Sequence, residues 1–221
     1  FGAYLGSTGF SGMALAMQQL LLSWILIGIL NLPADQVGVI QALIGIPGIV
    51  LMLMGGASAD RTDARRLLAQ IYLIAPIFPV FLLLMEQWQW LGVTTVTLWG
   101  LGMSVVQSYS MPGQQAILNR VSGTLVQQGV TIATAIGYVV QVVGLGLAGQ
   151  IDRLGITPVL IMQALSLLMA GIMMLRIMPM PVTQASTASV SALRGIADGL
   201  RATYRSPVIF DALLILSLIH I

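Results

Sequence analysis

The stretch GGASADRTDARRLL, residues 55–68, holds Asp60, Arg61, Asp63, Arg65 and Arg66 within seven positions. On either side the chain is oily: residues 37–54 and 67–85 contain no acidic or basic side chain. The whole chain has nine basic and seven acidic residues, so this short piece carries five of the sixteen. Each flanking run approaches the roughly 20 residues that cross a hydrocarbon core at about 1.5 Å per residue. A knot of charge between two such runs reads as the turn between two membrane-spanning helices. That reading decides the fold class.

The composition agrees. Hydrophobic residues make up 57% of the 221 and charged residues 7%, against about 25% charged in a soluble domain. Such a chain cannot coat a water-facing surface. In lipid its backbone groups must pair internally, which leaves helices for segments this apolar. We therefore expect an all-α membrane protein with spans at roughly 8–30, 37–58, 67–85, 91–111, 125–149 and 157–177. Turns follow at NLPADQ (31–36), at the charged stretch, at EQWQW (86–90), at PGQQAILNRVSG (112–123) and at QIDRLG (150–155). Residues 1–178 then form a six-helix bundle and 179–206 a cytoplasmic linker, with a seventh span beginning at 207–221. In the linker, Val190, Leu193, Ile196, Leu200 and Tyr204 recur at helical spacing among arginines, the pattern of an amphipathic helix on a membrane surface. The chain starts at Phe1 and stops at Ile221 inside an apolar run, so it reads as the first part of a longer protein.

The nine basic residues are all arginine, and they set the orientation. Arg61, Arg65, Arg66, Arg120, Arg176, Arg194, Arg201 and Arg205 follow the second, fourth and sixth spans, while Arg153 alone follows the fifth. Cytoplasmic loops collect arginine, so the N-terminus is expected inside and Trp88 and Trp90 at the outer interface. The expected location is a cell membrane, crossed several times, in a bacterium the inner one. A net charge of +2 placed this way gives no reason to expect nucleic acid. The chain has no cysteine, one histidine (His220) and scattered carboxylates. That supplies neither a metal centre nor a nucleophile–base pair, so no enzyme, cofactor or metal is expected.

Inside the spans the polar groups are uncharged: Gln18, Gln19, Gln41, Gln107, Tyr109, Tyr138 and Gln141, with Trp24 near the end of span one. Two readings stand side by side. Such groups bond helix to helix, or they line a cavity for a small amphipathic or neutral solute. Glycines recur on span five at Gly137, Gly144, Gly146 and Gly149, allowing close helix approach. Span two (GVIQALIGIPG) and span five (GYVVQVVGLGLAG) share a faint pattern, each continuing to Asp-Arg, as a 3+3 inverted repeat would.

The loop GASADRTDARR resembles the signature between helices two and three of the major facilitator superfamily, through Gly56, Asp60, Arg61, Arg65 and Arg66. With Asp63 two residues after Arg61 it is similar to the drug and siderophore exporters called transmembrane secretion effectors. PGQQAILNRV (112–121) and GIADGLRATYRSPVI (195–209) resemble that branch's loop after helix four and its helix leading into helix seven. The resemblance runs over essentially the whole chain, which matches the first half of a family member.

The resemblance implies a transporter, monomeric at full length, that exports small amphipathic molecules by alternating access driven by protons. It implies that Asp60 faces a helix N-terminus of the second half, so that the loop acts as a latch on the cytoplasmic side. Gln18, Trp24, Gln41, Gln107, Tyr109, Tyr138 and Gln141 become candidates for the substrate cavity. The chain also departs from the branch. Gly144 is followed by Leu145 where proton-coupled exporters often have Pro, Gln141 stands where the branch often has Arg, and span four has no embedded Arg. The alternatives are an uncoupled facilitator or importer of a neutral solute, or a half-transporter that does not function alone.

Overall fold

A computed structural model describes residues 1–61, 63–123 and 125–178, apart from the side chains of residues 53 and 55–61. The expected linker, its amphipathic helix and the seventh span lie outside the described residues. The described residues are helical, with no strand among them, and belong to one compact unit, Phe1–Thr183. The helices are α1 (Gly2–Trp24, continued by a π-turn Ile25–Ile29), α2 (Ala34–Arg61), α3 (Ala64–Ile74) and α4 (Ile77–Gln87). They continue with α5 (Val93–Val121), α6 (Val126–Ala148), α7 (Ile151–Leu154) and α8 (Ile156–Leu175).

Five segments are long and apolar enough to cross a membrane: Gly2–Ile29, Ala34–Met52, Ala64–Gln87, Val126–Leu154 and Ile156–Leu175. The chain is thus a multi-pass, membrane-embedded protein. The expected fourth span, α5, is a 29-residue helix but is not among the five. Ser104, Gln107, Ser108, Ser110 and Gln114 dilute its apolar character. It touches α1, α2, α3, α4 and α6, so its hydroxyls and amides have neighbours to face.

Local chemistry explains the ends and the breaks. Pro76 has no N–H to give, and its ring would clash with the carbonyl four residues back, so the third span divides into α3 and α4 around Ala75 and Pro76. Span one ends in a π-turn closed by the Leu30 N–H on the Ile25 carbonyl at 2.9 Å. The reversal that follows uses Asn31 at φ 50°, a left-handed conformation Asn tolerates, and Pro33. Gly155 joins α7 to α8 at φ 82°.

One expected loop is shortened and another is helix. α2 runs into the charged stretch as far as Arg61 before α3 starts at Ala64, and α5 runs through Pro112 to Val121. In the second case the continuation buries Gly113, Ile117 and Leu118, which a loop could not do.

α1 lies against α6 and α8, α2 against α5, and α3 and α4 against both α5 and α8, with α1 and α5 also touching. Met17, Leu21, Tyr72, Trp99, Met103 and Leu167 are fully buried between them. At about 25 cal/mol per Å² such side chains would dominate the stability of a soluble core. Between helices in lipid it is close packing that holds them. At Gly144 the close neighbour is the backbone of another helix. A Cβ there would sit 2.6 Å from the Met13 carbonyl oxygen of α1, so no larger residue fits without parting the helices.

Candidate functional site

On one side of the bundle α1, α2, α5 and α6 leave a groove with two lobes. The first, about 340 Å³, lies between α1, α5 and α6, lined by Gly12, Leu15, Ala16, Gln19, Gln107, Thr134, Gly137, Tyr138 and Gln141. The second, about 410 Å³, lies between α1, α2 and α5, lined by Leu15, Gln18, Gln19, Leu22, Ser23, Gln41, Ile44, Gly45, Ser104 and Gln107. Leu15, Gln19 and Gln107 line both lobes, so the two adjoin at the α1–α5 boundary.

Helical periodicity builds the groove. Gly12, Leu15, Gln19 and Ser23 recur every three or four residues along one stripe of α1, as do Thr134, Tyr138 and Gln141 along α6. Gly137 and Gly45 keep the lobes open, since an added Cβ at either meets nothing within 4 Å.

The lining is polar without being charged. Five of its side chains are glutamine, and three more are the hydroxyl residues Ser23, Ser104 and Thr134. Gln41 Nε2 donates to Ser23 Oγ at 3.3 Å, linking α2 to α1. The amides of Gln18, Gln19, Gln107 and Gln141 have no protein hydrogen-bond partner among the described residues. Among the described residues, no arginine, aspartate, glutamate or histidine lines either lobe.

Of the cavity candidates read from the sequence, Gln18, Gln41, Gln107, Tyr138 and Gln141 come together here. Trp24 and Tyr109 do not line the groove. The Trp24 indole turns outward and donates to Asp152 Oδ1 of α7 at 3.1 Å, tying the end of α1 to the segment after α6. Tyr109 is half-buried, two positions round α5 from Gln107 and off its face. Of the span-five glycines, Gly144 meets α1, Gly137 borders the groove, and Gly149 caps α6.

The charged stretch lies at the end of the bundle where α2 and α8 finish and α3 begins. The side chains of Gly56, Asp60 and Arg61 are outside the described residues. Asp63 takes the N-cap position of α3, where its carboxylate accepts from the Arg65 N–H at 3.1 Å. A helix start leaves N–H groups unpaired, and a carboxylate satisfies one and meets the helix dipole favourably. The Arg65 guanidinium donates at 2.6 Å to the carbonyl of Leu175, the last residue of α8. A cation at a helix C-terminus is favourable by the same dipole. Arg66 beside it is exposed. The described part of the stretch therefore ties the start of α3 to the end of α8.

Sequence reading missed a second polar cluster, near the same end. Gln114 Nε2 donates to Tyr72 OH at 2.6 Å and Ser11 Oγ at 3.0 Å, and Tyr4 OH donates to the Gln114 carbonyl at 3.3 Å. These contacts join α1, α3 and α5. Tyr72 and Ser11 are fully buried. The local signal was slight, since Gln114 stands in a stretch that reads as loop. Among the described residues no three His, Asp or Glu side chains converge where a metal ion could be held.

No known protein family, no characterised protein and no solved structure matches the chain.

Proposed function

We propose that this bundle is part of a transporter of the major facilitator type, exporting small amphipathic molecules by alternating access with the proton gradient as its energy source. The observation that carries the reading is the groove. Uncharged hydrogen-bonding groups from four helices collect on one face of a membrane bundle, and among the described residues the amides of Gln18, Gln19, Gln107 and Gln141 have no protein partner. Unpaired polar groups facing lipid cost several kcal/mol each, so this face belongs against water, solute or other protein.

A 3+3 repeat is the second element of the proposal, and the helix neighbours support it. Exchanging the first three spans for the last three turns the α2–α5 pair into α6–α1, and α1–α8 into α5 with α3 and α4. The contacts agree residue by residue. Positions 44 and 48 on α2 meet Gly100 and Ser104 on α5, as positions 140 and 144 on α6 meet Gly9 and Met13 on α1. Inverted repeats of this kind place solute sites between the moving halves at mid-membrane. The arginine-rich end is read as cytoplasmic, and Asp60 as the latch residue of that side.

A second reading, an uncoupled facilitator, is favoured by one observation: no acid, base or histidine lines the groove, whereas proton relays in membranes use such groups.

Because the chain has no cysteine, Gln107→Cys gives a single reporter in the groove. Under alternating access a membrane-impermeant thiol reagent labels it from either side of oriented vesicles, and solute shifts the balance. Labelling from one side under every condition would overturn the mechanism. Loss of solute flux on adding a protonophore favours proton coupling, and unchanged flux favours the facilitator. Asp60→Asn is expected to impair flux without preventing insertion.

A further inference from the structure

We infer that the solute of this groove is uncharged and rich in hydroxyl or amide groups, with one apolar face, and that ions of either sign are rejected. The inference rests on reading the groove as a solute path.

The two lobes share Gln19 and Gln107, and neither amide has a protein partner. A glutamine amide offers two N–H donors and a carbonyl acceptor with two lone pairs. An array of such groups matches a ligand that both donates and accepts at several points, as a sugar ring or a small cyclic amide does. It matches a carboxylate less well, because a carboxylate only accepts and so leaves the amide carbonyls without a donor. A lone cation would lack a counter-ion, since the charged side chains of the described residues lie at the helix ends. Taking an unpaired ion into such a site is far costlier than taking in a neutral polar group.

The apolar requirement comes from Leu15, which faces both lobes, with Leu22 and Ile44 in the second. The volumes of about 340 and 410 Å³ each fall in the range of roughly 300–1,000 Å³ that takes a small organic ligand. A ring-sized unit fits each lobe, with Gln19 and Gln107 at the junction.

Among the described residues, four of the five groove amides are not structural glue either, Gln41 with its bond to Ser23 being the exception. Where this chain uses glutamine to hold helices, the amide is bonded, as Gln114 is to Tyr72 and Ser11 and Gln163 is to the Ala14 carbonyl.

The test uses two solutes of one shape, 4-nitrophenyl glucoside and 4-nitrophenyl glucuronide, which differ by a hydroxymethyl group against a carboxylate, with ethidium as the cation. Binding to the purified protein in detergent is measured by equilibrium dialysis, and flux separately in proteoliposomes of the full-length protein. The glucoside is expected to bind at least tenfold more tightly than the glucuronide, and ethidium not to compete. Gln107→Leu and Gln19→Leu are expected to weaken glucoside binding at least tenfold. Gln107→Glu should lower the affinity for the glucuronide further and admit ethidium.

Binding of the glucoside without flux would sustain the solute class and sink the transport reading. Binding of ethidium or the glucuronide in preference would overturn the solute class and leave the transport reading standing. No binding of the glucoside, or binding insensitive to both leucine variants in chains that elute as folded protein, would overturn the class as well.

Discussion

Gln163 and Gln107 are the same residue on two helices of one bundle, and they lead opposite lives. Gln163, on α8, is fully buried and donates to the Ala14 carbonyl of α1 at 3.2 Å. Gln107, on α5, is exposed in the groove, and its amide bonds to no protein group among the described residues. Gln114, only two turns along α5 from Gln107, belongs with Gln163, bonded to Tyr72 and Ser11. The neighbours decide between the two fates. Where α1, α3, α5 and α8 converge, an amide finds hydroxyls and carbonyls within reach. Where α1, α2, α5 and α6 splay around the lobes, small residues such as Gly45 and Gly137 hold space open and the amide finds none. A polar residue in an apolar helix is thus mortar on one side of the bundle and lining on the other.

The sharpest way to break this division lies on α6, where two glycines stand seven residues apart. Gly144 belongs to the packed side, with the Met13 carbonyl oxygen 2.6 Å from where its Cβ would be, while Gly137 meets nothing within 4 Å. Gly144→Val is expected to part α6 from α1 and destabilise the bundle by about 3 kcal/mol or more. Gly137→Ala is expected to stabilise it by about 0.5–1 kcal/mol, since Ala favours helix more than Gly. Unfolding of each variant by SDS titration, followed by circular dichroism, measures both. Equal effects would mean that the two levels of this α6 stripe are not different environments.

Next in size is Gln114→Leu. It removes the donor to both Tyr72 and Ser11 and leaves buried hydroxyls with fewer partners. A loss of about 1–3 kcal/mol is expected by the same titration. A smaller loss would place Gln114 with the groove residues and blur the comparison.

Arg65→Ala tests the charged end. The guanidinium contact to the Leu175 carbonyl is a capping interaction at the end of α8. Its removal is expected to cost about 0.3–1 kcal/mol, shrinking as salt is raised. Asp63→Ala, at the N-cap of α3, is expected to cost about 1 kcal/mol on its own. If neither changes stability, the charge of this stretch serves orientation and the proposed latch alone.

Much of the division was legible beforehand, and what was not has physical causes. Long apolar runs and arginine spacing gave the helices, because a backbone in lipid has few ways to satisfy itself. α5 was the exception. A helix enclosed by five others is free to be polar, and its hydropathy then understates its length. Pro112 and the glutamines after it looked like a loop, yet burial of Ile117 and Leu118 keeps the helix going. The groove residues were nameable by type, and five of the seven candidates do share a face. Trp24 and Tyr109 could not be sorted, because a step or two around a helix turns a side chain by about 100–200°. Trp24 consequently finds Asp152 on α7, a partner 128 residues away that no local pattern announces.

The smallest expected change in stability is the one that separates lining from mortar most directly. Gln107→Leu removes an amide that bonds to no protein group, so no buried partner is orphaned. Its effect on unfolding is expected to stay within about 0.5 kcal/mol, as for substitutions away from packed or bonded sites. Gln114→Leu, on the same helix and with the same chemical change, should move unfolding several times as far. The pair forms its own control for helix propensity, because Leu replaces Gln in both and the two are similar in helix preference. Should Gln107→Leu prove as damaging as Gln114→Leu, Gln107 has a structural partner in the membrane, and the groove would be an interface between helices and not a path for solute.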